Sequence, residues 1–190
     1  MASQASENGD QSRITMELMR CTNFAAIKHK DQRRKDKEKT PYVNHVIGVA
    51  HILTAEAGVT DISVLQAALL HDTVEDTDTT FEELEQEFGE HVTSIVREVS
   101  DDKTLGKADR KRQQIEHAPH SSYKAKLVKL ADKLYNLRDL KRCTPCGWTS
   151  ARVQEYFGWA AQVVAGLRGT NQNMEDSLDQ LFKEFKVASG

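Results

Sequence analysis

The stretch Leu69–Thr80 reads LLHDTVEDTDTT and joins the end of an apolar helix to a cluster of ionisable groups. From Ile62 to Leu70 nearly every side chain is apolar, so this helix is expected to be buried on all sides. Five acidic or imidazole groups follow within eight residues. Such groups are costly at a buried helix end unless they are paired or bound to a metal. The stretch therefore predicts the centre of a helical core with a polar site at its edge.

Helical spacing brings these groups onto one side. His71 and Glu75 share a face, and Asp72 shares one with Glu75 and Asp76. Like charges at this spacing raise each other's pKa, and a divalent cation would keep them ionised. The alternative is a solvated acidic loop containing Asp78, with His71 as a hydrogen-bonded core histidine. A metal needs about four to six donors, so further ligands must come from elsewhere in the chain.

One source is the predicted helix Tyr123–Arg142, which carries a stripe of core leucines. Asp132 and Asn136 lie one turn apart beside that stripe, where an unpaired carboxylate would be costly. The alternative is an ordinary surface ion pair between Asp132 and Lys129 or Lys133. The position at the margin of the core makes Asp132 a candidate ligand.

The other candidate for a further metal ligand is His45, in the stretch TPYVNHVIGVAHIL. It shares a helix face with Val49 and Ile52 and is therefore expected to point inward. His51 on the same helix is rotated away by about 240°, at roughly 100° per residue, which makes it a poorer ligand. Taken alone, a histidine in the position of His45 is more often a hydrogen-bonded core histidine than a ligand.

Composition and periodicity predict an all-α fold of about eight to ten helices in a single domain. The 190 residues are 38% hydrophobic and 29% charged, and apolar residues recur at helical spacing without a sustained period of two. Residues 1–12 have almost no bulky apolar side chain and are predicted to be a disordered tail, with the domain over 13–190. The predicted helices run over 14–29, 42–57, 62–71, 81–88, about 91–99, 107–117, 123–142, about 149–167 and about 172–185.

Charge and cysteine content narrow the class of protein. A net charge of −3 gives no indication of nucleic-acid binding. The chain shows neither a signal peptide nor a run of about 18 apolar residues that could span a bilayer, so an intracellular, cytoplasmic protein without membrane contact is expected. Three cysteines do not suggest a disulfide framework. The sequence leaves the oligomeric state open.

The order of these motifs resembles a known family. A single His, a His-Asp pair about 25 residues later and a helical Asp about 60 residues further on are similar to the HD superfamily of metal-dependent phosphohydrolases. The segments TPYVNH, HDTVED and LADKLYNLR look like the hydrolase domain of RelA/SpoT enzymes, over roughly residues 14–167. The nearest likeness is to the stand-alone small alarmone hydrolases, which include the metazoan SpoT homologues.

The resemblance implies a set of metal ligands and catalytic groups. The ligands of one Mn²⁺ ion would be His45, His71, Asp72 and Asp132, and the catalytic residues would be Glu75 and Asp76. The chemistry agrees independently, because two imidazoles and two carboxylates suit Mn²⁺ or Fe²⁺ and lack the thiolates that select Zn²⁺. Glu75 and Asp76 would orient or deprotonate the attacking water.

The resemblance also implies the small-molecule substrate and its contacts. Arg34 and Lys35 lie in the loop DQRRKDKEK, which resembles the family segment that contacts the nucleotide; a solvated charged loop is the alternative. Asn136 is expected to hold the water or the ribose. Tyr156 faces inward on its helix, where core packing competes with a substrate contact. The implied activity is Mn²⁺-dependent removal of the 3′-pyrophosphate of (p)ppGpp by a metal-activated water.

Three other interpretations stay open at this point. An NADPH 2′-phosphatase or another ribose-phosphate nucleotidase would use the same site, because the phosphate again sits on a secondary ribose hydroxyl. A non-catalytic nucleotide sensor would keep the metal but would not need Glu75 and Asp76. Cys143 and Cys146 in CTPC could form a redox pair or half a zinc site, although no second CxxC is present.

Overall fold

The computed structural model describes the backbone of residues 2–187 and the side chains of residues 11–187. Within residues 2–187 it is entirely helical apart from loops and one isolated bridge between Arg33 and Pro41. The helices are α1 Ala2–Lys28, α2 Val43–His51, α3 Ile62–Leu70, α4 Thr73–Asp76, α5 Phe81–Phe88, α6 Glu90–Val99, α7 Lys107–His117, α8 Tyr123–Arg142, α9 Ser150–Ala165 and α10 Gln172–Glu184. The prediction of an all-α fold is confirmed.

Helix α3 occupies the centre of the fold. Its residues from Ser63 to Leu70 are all buried, and it packs against α1, α2, α6 and α8. The helix begins where the sequence predicts, because the Asp61 carboxylate accepts a hydrogen bond of 2.9 Å from the Ser63 N–H. His71 and Asp72 follow directly at its C-terminal end, so the core itself fixes their place.

Helix α8 lies beside α3 and carries the leucine stripe predicted for it. Leu127, Leu130, Leu134 and Leu137 are all buried. The helix also contacts α2, which brings Asp132 close to both the α2 histidine and the end of α3. Three elements distant in sequence therefore meet at one point.

Helix α1 starts earlier than predicted. Its backbone is helical from Ala2, and it passes through most of the segment predicted to be a disordered tail. Met1 and the side chains of the first ten residues lie outside what the structure describes. The division of the chain at residue 12 stays a prediction.

Two local features differ from the sequence-based prediction. Helix α2 ends in a π-helical turn over Ile52–Glu56 rather than as a continuous α-helix. Helix α4 is an unpredicted single turn after α3. The Thr80 side chain caps α5 by accepting a hydrogen bond from the Glu83 N–H at 3.2 Å. The Glu83 carboxylate pairs with Lys28 at 3.0 Å, and this ion pair joins α5 to the end of α1.

Candidate active site

The four side chains proposed as metal ligands converge at the junction of α2, α3 and α8. Nε2 of His45 lies 3.3 Å from Nε2 of His71 and 3.2 Å from Oδ1 of Asp132. Oδ2 of Asp72 is 3.3 Å from Nε2 of His45 and 3.1 Å from Nε2 of His71. Nε2 of His71 is 3.6 Å from Oδ1 of Asp132. Each of the two imidazole Nε2 atoms therefore lies close to a carboxylate oxygen of Asp72 and to one of Asp132.

This arrangement fits a divalent cation. Adjacent ligands of an ion with bonds of about 2.1 Å are separated by about 3.0 to 3.4 Å, close to the spacing observed here. Nδ1 of His71 donates a hydrogen bond of 2.7 Å to the Ala68 carbonyl oxygen, which leaves the lone pair of Nε2 directed at the cluster. His45, His71 and Asp72 also form a His/Asp group compatible with metal binding among the described residues.

The carboxylates of the cluster are held in the ionised form that a cation requires. Without a cation, burial raises the pKa of Asp72, but the charge of a protonated His71 and hydrogen bonds from His45 and His71 outweigh it, so the pKa lies well below its ordinary value; a bound divalent cation would replace that charge and leave His71 neutral. Burial likewise opposes ionisation of Asp132, and the charge of Lys133 together with the imidazoles holds its pKa well below the ordinary value.

Further polar contacts orient the two carboxylates. The Tyr42 hydroxyl donates to Oδ2 of Asp72 at 2.6 Å, and burial raises the pKa of Tyr42, so the hydroxyl stays a donor. Asp132 accepts from Lys133 at 2.9 Å and from the Asn136 amide at 2.7 Å. The pairing of Asp132 with Lys133 that the sequence allowed is present, but Lys133 is buried, so the pair belongs to the site and not to the surface.

The His45 ring is positioned by packing. Its Nδ1 is buried without a hydrogen-bond partner among the described residues. The rings of Tyr42 and Tyr135 contact it edge-on, with centroids 5.4 and 4.9 Å away. A glycine at position 48 lets the Tyr135 ring lie directly against α2, because a Cβ there would overlap that ring.

Glu75 on α4 lies beside the cluster in a partly buried position. Its Oε1 accepts a hydrogen bond of 2.7 Å from the Asp101 N–H. Burial raises the pKa of Glu75 to about 8; the Asp101 N–H opposes this shift, and the charges of Asp72 and Asp101 add to it. A carboxyl group with a pKa near neutrality is suited to taking up and giving back a proton.

Asp76 is the exposed neighbour of Glu75 and is oriented by a short chain of hydrogen bonds. Its Oδ2 accepts from the Gln32 amide at 2.8 Å. The amide oxygen of Gln32 lies 2.6 Å from Nδ1 of the buried His29. With Nδ1–H of His29 as the donor, the Gln32 amide nitrogen is turned towards Asp76.

A cleft of about 340 Å³ lies next to these residues. Its lining includes all four residues predicted to bind substrate: Arg34, Lys35, Asn136 and Tyr156. Arg34 donates to the Asn136 side-chain oxygen and to the Asp139 carboxylate, both at 2.9 Å, so it is held in place. Lys35 is exposed at the edge, and its carbonyl oxygen accepts a hydrogen bond of 2.8 Å from the Cys146 N–H.

Sequence reasoning missed several members of the site. Trp148 lines the cleft with its ring 5.8 Å from that of Tyr156. Tyr42 and Gln32 also line the cleft. Tyr42 lies inside the motif TPYVNH and Gln32 inside DQRRK, so both were within recognised segments, but no local pattern assigns them a partner.

Other candidates lie outside the cluster. Asp78 is exposed and pairs with Lys28 at 3.2 Å. His51 is exposed on the far face of α2, as the helical geometry predicts. Among the described residues, the group of metal-compatible side chains contains neither Cys143 nor Cys146.

No helix within residues 2–187 combines the length and the apolar character that crossing a bilayer would need.

Comparisons with known proteins agree with the geometry. The family model described as HD domain matches residues 21–156. Proteins called guanosine-3′,5′-bis(diphosphate) 3′-pyrophosphohydrolase MESH1 match from Mus musculus, at 70% identity over 88% of this chain and 94% of the relative, and from Xenopus tropicalis, at 68% identity over 90% and 96%.

A solved structure, described as that of a metazoan orthologue of SpoT that hydrolyses ppGpp and plays a role in starvation responses, superimposes with a TM-score of 0.89. It is 57% identical and covers 90% of this chain and 97% of its own. The family model, the sequence relatives and the superposition each cover most of the chain. The chain therefore belongs to the HD-domain family, in the branch formed by the metazoan SpoT homologues.

Proposed function

We propose that this protein is a Mn²⁺-dependent hydrolase that removes the 3′-pyrophosphate of (p)ppGpp, forming GDP or GTP and pyrophosphate. The observation that carries this proposal is the four-donor cluster, with Glu75 and Asp76 beside it and a nucleotide-sized cleft adjoining. The activity named for the relatives, which match along most of their own length, supports the same choice. Three free cysteines and a nucleotide substrate suit a cytoplasmic location.

The proposed ligands of the cation are His45, His71, Asp72 and Asp132. Their mixed nitrogen and oxygen donors suit Mn²⁺. A divalent cation held there supplies a Lewis acid that polarises a phosphate oxygen and lowers the pKa of water. Tyr42 and Asn136 then act by holding the two carboxylates in position.

Glu75 and Asp76 would divide the proton transfers. Hydrolysis adds water to the phosphorus, breaks the bond to the ribose 3′ oxygen, and requires one proton to leave the water and one to reach that oxygen. We assign the first transfer to Asp76, which Gln32 orients, and the second to Glu75, whose pKa of about 8 lets it hold a proton at neutral pH.

The cleft would hold the nucleoside and its 5′ phosphates. Arg34 is fixed by two hydrogen bonds, and its guanidinium plane also faces Tyr42, with its carbon 5.5 Å from the ring centroid. Trp148 and Tyr156 offer aromatic surface to a base. Lys35 stays exposed to solvent, where it can pair with a phosphate.

The test compares three substrates on the Mn²⁺-loaded protein: ppGpp, NADPH and a simple phosphomonoester. We expect turnover of ppGpp with release of pyrophosphate, and a loss of at least about 10³-fold in Asp72→Ala because a ligand is removed. Asp78→Ala is the matched control, since Asp78 is an exposed carboxylate of the same segment outside the cluster; its activity should stay within about twofold.

Each other outcome has a clear meaning. Equal turnover by the wild type and Asp72→Ala would refute the proposed site. Faster turnover of NADPH than of ppGpp would assign the same chemistry to a ribose 2′-phosphate. Binding of ppGpp with no turnover of any substrate would favour a nucleotide sensor.

A further inference from the structure

Trp159 on α9 lies where α7, α8 and α9 meet, outside the ligand cluster. Its Nε1–H donates a hydrogen bond of 3.0 Å to the Lys111 carbonyl oxygen on α7. Its ring contacts that of Tyr156 edge-on, with the centroids 5.1 Å apart. Tyr156 lines the cleft, whereas Trp159 is not among the lining residues. Trp159 is therefore one side chain removed from the substrate space.

The indole ring of Trp159 also faces two ammonium groups. Nζ of Lys111 lies 4.8 Å and Nζ of Lys133 lies 4.9 Å from the ring centroid. Lys133 is buried, whereas Lys111 is partly exposed on α7. An aromatic ring stabilises a desolvated cation more strongly than an exposed one. The contact with Lys133 is therefore the stronger of the two, and it joins α9 to α8.

Lys133 is in turn bonded to Asp132, and the two oxygens of this carboxylate have different partners. Nζ of Lys133 donates to Oδ2 of Asp132 at 2.9 Å. Oδ1 faces the imidazoles of His45 and His71, at 3.2 and 3.6 Å. Rotation of the carboxylate that exchanged its oxygens would break the bond from Lys133. The position of Lys133 therefore helps to decide which oxygen faces the cluster.

The Lys133 side chain needs a second contact to stay in this position. Its stem is flexible, and the charge of Asp101 also attracts its ammonium group. Burial lowers the pKa of Lys133, but the charge of Asp132 outweighs burial and raises it, so the group stays an ammonium ion. The Trp159 ring stabilises that ion in the conformation that is bonded to Asp132. Without the ring, Lys133 would be free to turn towards Asp101.

We propose that Trp159 is a positioning residue for the cation site: it holds Lys133 against Asp132 and so fixes the carboxylate oxygen that faces the cation. The inference rests on the proposed function through the cation site alone. Because the same ring contacts Tyr156, Trp159 also joins the cation site to the aromatic wall of the cleft.

The test measures the Kd of Mn²⁺ by calorimetry, without nucleotide. We expect Trp159→Leu to raise this Kd about tenfold, the scale on which the outer partner of a metal ligand acts. Trp159→Phe keeps an aromatic face for Lys133 and loses the indole N–H, so its Kd should stay within about threefold of the wild type.

Phe157→Leu is the matched control for a loss of core packing. Phe157 is buried on the same helix and lies about 200° around it from Trp159, at roughly 100° per residue. Its ring stacks on Phe185, with the centroids 3.8 Å apart. This variant should lose stability and keep the Kd of Mn²⁺ within about twofold.

A double-mutant cycle tests whether Trp159 acts through Lys133. In the Lys133→Met background, adding Trp159→Leu should change the Kd of Mn²⁺ less than about twofold, because the group that the ring holds is gone. Equal effects of Trp159→Leu in both backgrounds would overturn the proposal. An unchanged Kd in Trp159→Leu, or equal losses in Trp159→Leu and Trp159→Phe, would overturn it as well.

The measurement separates this inference from the proposed function. If the wild type binds Mn²⁺ but does not hydrolyse ppGpp, the proposed function fails, and the Kd values alone decide the role of Trp159. If the wild type binds no Mn²⁺, both are wrong. Thermal unfolding establishes that each variant is folded, and Trp159→Met, which keeps more of the side-chain length, replaces Trp159→Leu if that variant does not fold.

Discussion

The titration of Glu75 should be measurable in the stability of the metal-free protein. Burial raises its pKa from an ordinary value of 4.5 to about 8, with the charges of Asp72 and Asp101 adding to burial. The folded protein therefore binds this proton more tightly than the unfolded chain does. Between these two pKa values the unfolded state carries fewer protons at this position, so the free energy of unfolding falls as pH rises.

The size of this effect follows from the two pKa values. At about 1.36 kcal/mol per pKa unit, the difference corresponds to at most about 5 kcal/mol. Glu75 is only partly buried, so solvent screening reduces the expected contribution to roughly 2 kcal/mol. Glu75→Gln removes the titration and keeps the shape of the side chain. From about pH 5 to about pH 9, the variant should gain roughly 2 kcal/mol relative to the wild type.

Urea unfolding followed by circular dichroism, in the presence of a chelator, measures this difference. Asp78→Asn is the control, because a hydrogen bond and the charge of Lys28 lower the pKa of Asp78. That carboxylate is ionised across the whole range, so the offset between the control and the wild type should not change with pH. Parallel curves of unfolding free energy against pH for Glu75→Gln and the wild type would refute the reasoning.

Three further predictions test other parts of the site. Gly48→Ala should displace the Tyr135 ring from the His45 ring, because the new Cβ would overlap Tyr135. We expect the free energy of unfolding to fall by about 1 to 3 kcal/mol and Mn²⁺ binding, measured by calorimetry, to weaken. Unchanged values for both would contradict this prediction. Gln32→Leu should lower kcat about tenfold with little change in KM, because Asp76 loses its donor; a rise in KM alone would assign Gln32 to binding. Mn²⁺ at 100 times its Kd should add about 2.7 kcal/mol to the stability and raise Tm, and a chelator should reverse this; a Tm insensitive to Mn²⁺ would argue against the cluster as a cation site.

Local signals in the sequence account for most of the helices. Asp61 and Thr80 satisfy backbone N–H groups within three residues of themselves, so the starts of α3 and α5 can be predicted without tertiary information. The helix between Asp61 and His71 is apolar on nearly every side, so its burial at the centre of the fold can also be predicted. Such features depend on neighbours in sequence, and a single sequence contains them.

The sequence allowed His71 and Asp72 to be recognised together because they are adjacent. Helical facing made His45 and Asp132 candidates, and the family likeness joined all four into one ligand set. The bonds from Tyr42 to Asp72 and from Gln32 to Asp76 link segments 30 and 44 residues apart. No periodicity indicates such contacts, because they depend on how residues 30–42, between α1 and α2, fold against α4 and α8. The π-helical turn after α2 is likewise decided by packing, since its residues have an ordinary helical pattern.

The distribution of the cluster over distant segments has a kinetic consequence. His45 and His71 are 26 residues apart, and Asp132 lies much further along the chain, so two loops must close before the four donors meet. If these contacts form after the rate-limiting step of folding, a bound ion leaves the folding rate unchanged and slows unfolding. The cation would then stabilise the native state without changing the rate at which it forms. The lifetime of the native protein would therefore increase with the concentration of free metal ion.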